Sequence, residues 1–200
     1  MTSNRLLMAT ALLTASLLTA CGTTDSYEQS PSDSGVEQES STGELHKMGE
    51  AIDAPGATVT LQKVTESESL EVYADNYKRG TMPNETLTPE NQGAKYVSVE
   101  TTVKNTSKKS MDLTCGFGLQ ATLFNKDEQA YDPIDSLYRV LDNPECNESL
   151  NPGFEKTMTW VYEVPADMQP YAFGVAEPTE HFGDYTYFDA SQVGEIHPQA

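Results

Sequence analysis

AKYVSVETTVKN, residues 94–105, alternates strictly. Val97, Val99, Thr101 and Val103 fall on one face of an extended chain, with Tyr96, Ser98, Glu100, Thr102 and Lys104 on the other. A period of two with one apolar face predicts a strand lying half on a core and half in water. The same texture spreads outward from this stretch. TMTWVYEV (157–164) aligns Met158, Trp160, Tyr162 and Val164, and Pro165 stops it. ATVTLQKV (57–64) puts Val59 and Leu61 together, and Val64 then falls out of phase, as a bulge or a strand end would leave it. FGLQATLFN (117–125) alternates Phe117, Leu119, Ala121 and Leu123, and NKDEQ (125–129) supplies a turn. YAFGV (171–175) and DYTYFD (184–189) complete the set. No window past the first twenty residues sustains a helical period, and SLYRVLDN (136–143) offers about one helical turn. The expected fold class is all-β: an antiparallel β-sandwich forming one domain over residues 46–190.

The ends read differently. Arg5 is the only charge in residues 1–20, and Leu6 to Leu18 is an apolar run, the pattern of a signal peptide. Leu18-Thr19-Ala20-Cys21 closes it and resembles the lipobox of bacterial lipoproteins. That resemblance implies cleavage before Cys21, a diacylglyceryl group on its sulfur, and attachment to the extracytoplasmic face of the cell membrane. Two acyl chains hold a protein stably, since each buried CH₂ contributes about 0.8 kcal/mol. The lipidated terminus and its continuation, residues 21–45, are almost wholly polar, with Tyr27 and Val36 as exceptions up to residue 44. Such a stretch buries too little surface to offset its chain entropy, so a disordered linker is expected there. Residues 191–200 read as a flexible tail.

The chain carries 12 Lys and Arg against 31 Asp and Glu, a formal net charge of −19. Removing residues 1–20 takes away Arg5 and no acid. This balance opposes nucleic-acid binding, which needs cations to displace counterions from phosphates. Cysteine usage fits export. If Cys21 of the three cysteines takes lipid, Cys115 and Cys146 remain as a pair in an oxidising compartment, and a disulfide is expected between them.

Three stretches carry a family likeness: HKMGEAID…VTLQKV, GAKYVSVETTVKNTSKK and LNPGFEKTMTWVYEVPAD. Together they resemble the telokin-like, immunoglobulin-fold extracellular domain common in Gram-positive lipoproteins. The likeness implies an immunoglobulin-like sandwich, export and surface display, and in some members recognition by a host immune system. It brings no catalytic residues, and the biochemical role of that family is unknown. This chain departs from it by a polar excursion, ADNYKRGTMPNETLTPENQ (74–92), and by an added tail after about residue 177.

No nucleophile elbow, Ser-x-x-Lys, His-Glu-x-x-His or phosphate-cradling Gly-Lys-Ser/Thr occurs, and the three histidines are His46, His181 and His197. The expectation is a chain that is not an enzyme and needs no cofactor. The acid-rich turns at 125–128, 132–135 and 142–145 offer calcium's preferred oxygens without EF-hand spacing, so no metal ligand is assigned. Trp160 and Phe173 are expected in the core, while Tyr185 and Tyr187 suit either core or surface. Lys104, Lys108 and Lys109 read as a solvated hairpin turn. The expected function is a lipid-anchored, surface-exposed, non-catalytic domain binding a protein or cell-envelope component through loops 74–92 and 126–146. The alternative is a small-ligand or calcium-ion carrier.

Overall fold

The computed structural model describes residues 43–195. The expected signal peptide, Cys21 and most of the expected linker lie outside them. The strands are β1 (Leu45–His46), β2 (Ala51–Ala54), β3 (Ala57–Ser67), β4 (Leu70–Val72), β5 (Glu85–Leu87), β6 (Ala94–Asn105), β7 (Gln120–Phe124), β8 (Ala130–Tyr131), β9 (Glu155–Pro165), β10 (Ala172–Ala176), β11 (Thr186–Asp189) and β12 (Val193–Glu195). One 3₁₀ turn, Leu137–Arg139, sits within the expected helical stretch.

The fold is an all-β sandwich. One sheet runs β1-β11-β10-β7-β8, the other β12-β3-β6-β9, and β4 and β5 form a small separate ladder. The central strand is β6. Its inward set, Val97, Val99, Thr101 and Val103, is fully buried, and it pairs Val97 with Tyr162, Val99 with Trp160 and Thr101 with Met158 of β9. Leu123, Phe173, Val175 and Phe188 of the opposing sheet belong to the same core cluster. Burying each such side chain contributes roughly 1.5–3 kcal/mol.

Val64 is out of phase for the reason its spacing suggests. The β3–β6 register passes from Leu61↔Thr101 to Lys63↔Glu100, so Gln62 is an extra residue and both Leu61 and Val64 point inward. Thr101 is a polar group in this core, and it is satisfied. Its hydroxyl donates to Met158 O (3.1 Å) and accepts from Trp160 Nε1 (3.0 Å).

Several expectations change. Phe117 does not open a strand: β7 begins at Gln120, and Phe117 stands 84% exposed with a positive φ of 48°. Gly118, beside it, approaches Met111 and Asp112 so closely that a Cβ there would lie 2.7 Å from Met111 Cβ, which holds this segment as a loop. Tyr96, placed outward, is only 3% exposed. The end of the 74–92 excursion folds back beside it, fastened where Glu163 accepts the N–H groups of Glu90 (3.0 Å) and Asn91 (2.8 Å).

The termini are more ordered than their composition suggests. Leu45, given to the expected linker, belongs to β1. Residues 193–195 of the expected flexible tail form β12 because Val193 lands beside Val64 and packs on the core. Both added strands run parallel to their partners, whereas the ladders of the sandwich body are antiparallel.

Candidate functional site

Cys115 and Cys146 form a disulfide with their Cα atoms 5.3 Å apart, closing a separation of 31 residues. A cross-link of that span stabilises by about 3–4 kcal/mol on the chain-entropy model. Asp112 reinforces it. Its Oδ1 accepts the N–H of Thr114 (2.9 Å) and of Cys115 (3.0 Å) and the Thr114 hydroxyl (3.0 Å), and its Oδ2 accepts the N–H of Asn147 (2.7 Å). Burial pushes this carboxyl up, but the four donors outweigh it and hold the group below its ordinary range. Just before it, Met111 and Leu150 exchange a pair of backbone hydrogen bonds (3.1 and 2.8 Å).

A groove of about 550 Å³ opens beside this knot. Its floor is core: Leu113, Leu119, Leu137 and Trp160, the last only 2% exposed. At its mouth stand Phe117 and Phe182, 84% and 72% exposed. Asp132 and Asp135 also line it, and neither carboxylate forms a hydrogen bond or ion pair among the described residues. A second groove, of about 730 Å³, shares Phe117 and Pro178 with the first and takes in Lys108, Lys109 and Glu180.

The loop that carries Phe182 is organised by one side chain. Glu177 accepts the Thr179 hydroxyl (2.5 Å) and the N–H groups of Glu180 (2.6 Å), Thr179 (3.0 Å) and His181 (3.3 Å). The Thr179 hydroxyl first, then these amides, bring its carboxyl down to about 2. Further along, Gly183 N donates to Gln120 Oε1 (3.1 Å), fixing the loop to β7.

The two loops expected to make contacts are brought together, but as a joint. Arg79 reaches from the 74–92 excursion to the carbonyls of Asn143 (2.6 Å), Pro144 (3.1 Å) and Tyr138, and its guanidinium lies 4.8 Å from the centre of the Tyr73 ring. Arg139 returns to Tyr73 O (3.0 Å) and to Glu85. Only about 170 Å³ of open space lies at this joint. Tyr77 and Met82 are the exposed large apolar residues of the 74–92 excursion.

The remaining candidates are scattered. Asn125 fills its turn with its own side chain, accepting Asp127 N (3.0 Å) and Gln129 N (2.9 Å). Among the described residues no three His, Cys, Asp or Glu side chains gather to hold a metal ion. His181 Nδ1 lies 3.7 Å from Asp184 Oδ2, His46 faces Phe188, and His197 is outside the described residues. Trp160 and Phe173 are core, whereas Tyr185 and Tyr187 are half-buried beside Phe124, with ring centres 5.3 and 5.6 Å from it. Asp112 and Glu177 went unread in the sequence. The signal for each is a carboxylate followed two residues later by a threonine, the pattern of a side-chain-capped turn.

A family model described as a domain of unknown function (DUF4352) matches residues 46–186. Among curated proteins none matches the chain. Of solved structures, a conserved hypothetical protein from Bacillus anthracis aligns at 18% identity over 72% of this chain and 95% of its own, with a TM-score of 0.47. An uncharacterized beta-sandwich protein from Clostridium difficile 630 aligns at 14% identity over 80% of this chain and 98% of its own, TM-score 0.44. The yjhA protein from Bacillus subtilis aligns at 17% identity over 76% and 99%, TM-score 0.44.

Proposed function

Since the chain belongs to the DUF4352 family of domains of unknown function, we propose that it is a non-catalytic binding domain whose groove between Phe117 and Phe182 takes a protein or another component of the cell envelope. In this reading a lipid on Cys21 holds it at the extracytoplasmic face of the membrane, with the polar segment after it as the spacer. The telokin-like resemblance of the sequence agrees with such a display.

One observation carries the proposal. Two phenylalanines stand in water at the mouth of a groove floored by core side chains, and both sit on loops that are chemically braced. Exposed apolar surface next to a cavity marks recognition sites. The disulfide, Asp112 and Glu177 brace the loops before any partner arrives, which reduces the ordering cost of binding. The groove volume, about 550 Å³, also suits a small apolar ligand, which is the second reading.

Retention of the purified domain on isolated envelopes tests the role. Wild type is expected to bind saturably and the Phe117→Ser/Phe182→Ser variant at least tenfold more weakly; equal retention removes the groove from the account. For the anchor, mass spectrometry of the mature N-terminus is expected to find a diacylglyceryl group on Cys21. Processing that continues unchanged under a lipoprotein signal-peptidase inhibitor overturns it.

A further inference from the structure

The composition of the groove narrows what enters it. Its floor is apolar, its two ionisable residues are Asp132 and Asp135, and among the described residues no lysine, arginine or histidine lines it. An anionic or purely apolar occupant would leave both carboxylates facing it uncompensated. A cation close to an apolar group satisfies both features of the surface.

Shape narrows it further. Phe117 and Pro178 also border the second groove, whose lining adds Lys108, Lys109 and His181, so the ground that favours a cation is the first cavity and its mouth. With Phe117 and Phe182 84% and 72% exposed, apolar surface lies outside the cavity as well as inside it, which a length of polypeptide covers and a small molecule within the cavity does not. A second copy of this chain is a poor occupant, because each copy carries −19 and would bring acid to acid.

Resting on the binding role above, we propose that the Phe117–Phe182 groove docks an extended segment of a partner protein in which a bulky apolar side chain is flanked by lysine or arginine. The apolar side chain enters over Trp160, and the flanking cation meets Asp132 and Asp135. The charges steer the encounter and set its salt dependence, while the apolar contact sets the residence time.

The chain has a single tryptophan, and it lies in this groove, so Trp160 emission is a built-in reporter. The probe is acetyl-Lys-Ser-Leu-Phe-Ser-Lys-amide, titrated into the folded domain at low salt. Its controls are the same peptide with Glu for Lys, the same peptide with Ser for Leu and Phe, and phenethylammonium. The basic apolar peptide is expected to shift Trp160 emission saturably, with each control at least tenfold weaker. The exposed-site variant Asp132→Asn/Asp135→Asn, and 0.5 M salt with wild type, are each expected to weaken it at least fivefold. Equal binding of the acidic peptide, or unchanged binding by the Asn variant, overturns the charge assignment. Phenethylammonium as tight as the peptide gives the groove to a small ligand, and a dimer that Phe182→Ser dissolves gives it to a second copy; either overturns the proposal. So does silence from every peptide at millimolar concentration, in Trp160 emission and in amide chemical shifts alike. If envelope retention still falls in Phe117→Ser/Phe182→Ser while the peptides fail, only the partner chemistry is wrong. If retention survives as well, the binding role falls with it.

Discussion

Asn147 donates its backbone N–H to Asp112 Oδ2 at 2.7 Å, immediately after the cysteine that closes the disulfide. Together, carboxylate and sulfur clamp the segments 112–115 and 146–147, which are far apart in sequence. Replacing Asp112 by Ala removes an ionised acceptor from four donors and is expected to cost about 1–3 kcal/mol in urea denaturation with the disulfide intact. The pH dependence has a definite sign. The folded carboxyl lies below its ordinary value, so the stabilisation is complete above the unfolded value and is lost as pH falls through the folded one. The acid limb of stability against pH is therefore expected to be shallower in Asp112→Asn than in wild type.

Glu177 offers a direct spectroscopic check. With its carboxyl held down to about 2, the Glu180 amide is expected to keep its hydrogen-bonded chemical shift through mildly acid solution and to titrate with a midpoint near that value. The loop order it supplies is present above the ordinary glutamate range and disappears as pH drops through about 2. A midpoint in the ordinary glutamate range would show that the carboxylate does not organise the Phe182 loop.

Tyr162 and Thr101 make a contrasting pair in one core. The Tyr162 hydroxyl is fully buried without a hydrogen-bond partner among the described residues. Burial pushes its ionisation well up, with Asp132 and Tyr185 adding to it. Tyr162→Phe is expected to be neutral or to stabilise by up to about 1 kcal/mol, because the hydroxyl is desolvated with no bond in return. Thr101→Val keeps the shape but strands the Trp160 indole N–H, and is expected to cost about 1–3 kcal/mol. Thermal melts should show Thr101→Val falling while Tyr162→Phe holds or rises.

Gly174 makes room for the rings of Phe124, at the end of β7, and of Tyr185, just before β11. A Cβ there would lie 2.8 Å from Tyr185 Cδ1 and 3.0 Å from Phe124 Cε2. Gly174→Ala is expected to destabilise by about 1–3 kcal/mol and to pull the Tyr185 hydroxyl from Gln120 Nε2 (2.6 Å) and Thr122 Oγ1 (3.0 Å). A double-mutant cycle with Tyr185→Ala isolates the clash: the alanine at 174 should cost much less once the ring is gone.

What the sequence made legible were features set by neighbours a few residues away. The inward faces of β6 and β9 follow from alternation, the bulge before Val64 from a broken period, the end of β9 from Pro165, and the cysteine pairing from parity. Asn105, the residue that closes KN in the central motif, does bind turn groups: it donates to Lys109 O (2.7 Å) and accepts from Ser107 N (2.9 Å). What stayed hidden depends on contacts distant in sequence. Tyr96 is buried because Glu163 draws Glu90 and Asn91 onto its side of the sheet. Arg79 looks like an exposed base in a polar loop until Asn143 and Pro144 arrive from more than sixty residues away. The groove has the same character: Phe117 reads as a core position, and only the disulfide loop and the close approach of Gly118 turn it out to water.

The long strand β3 has β6 on one side, and its other side is shared end to end by β2 over Ala57–Thr60 and by β12 over Val64–Glu66. These short pieces act as stoppers, leaving a neighbouring molecule little unsatisfied backbone against which to begin a fibre. Proteolytic trimming past Ala190 would uncork one end of that seam. Val193–Glu195 thus guard this side of the sheet against growth by a second copy.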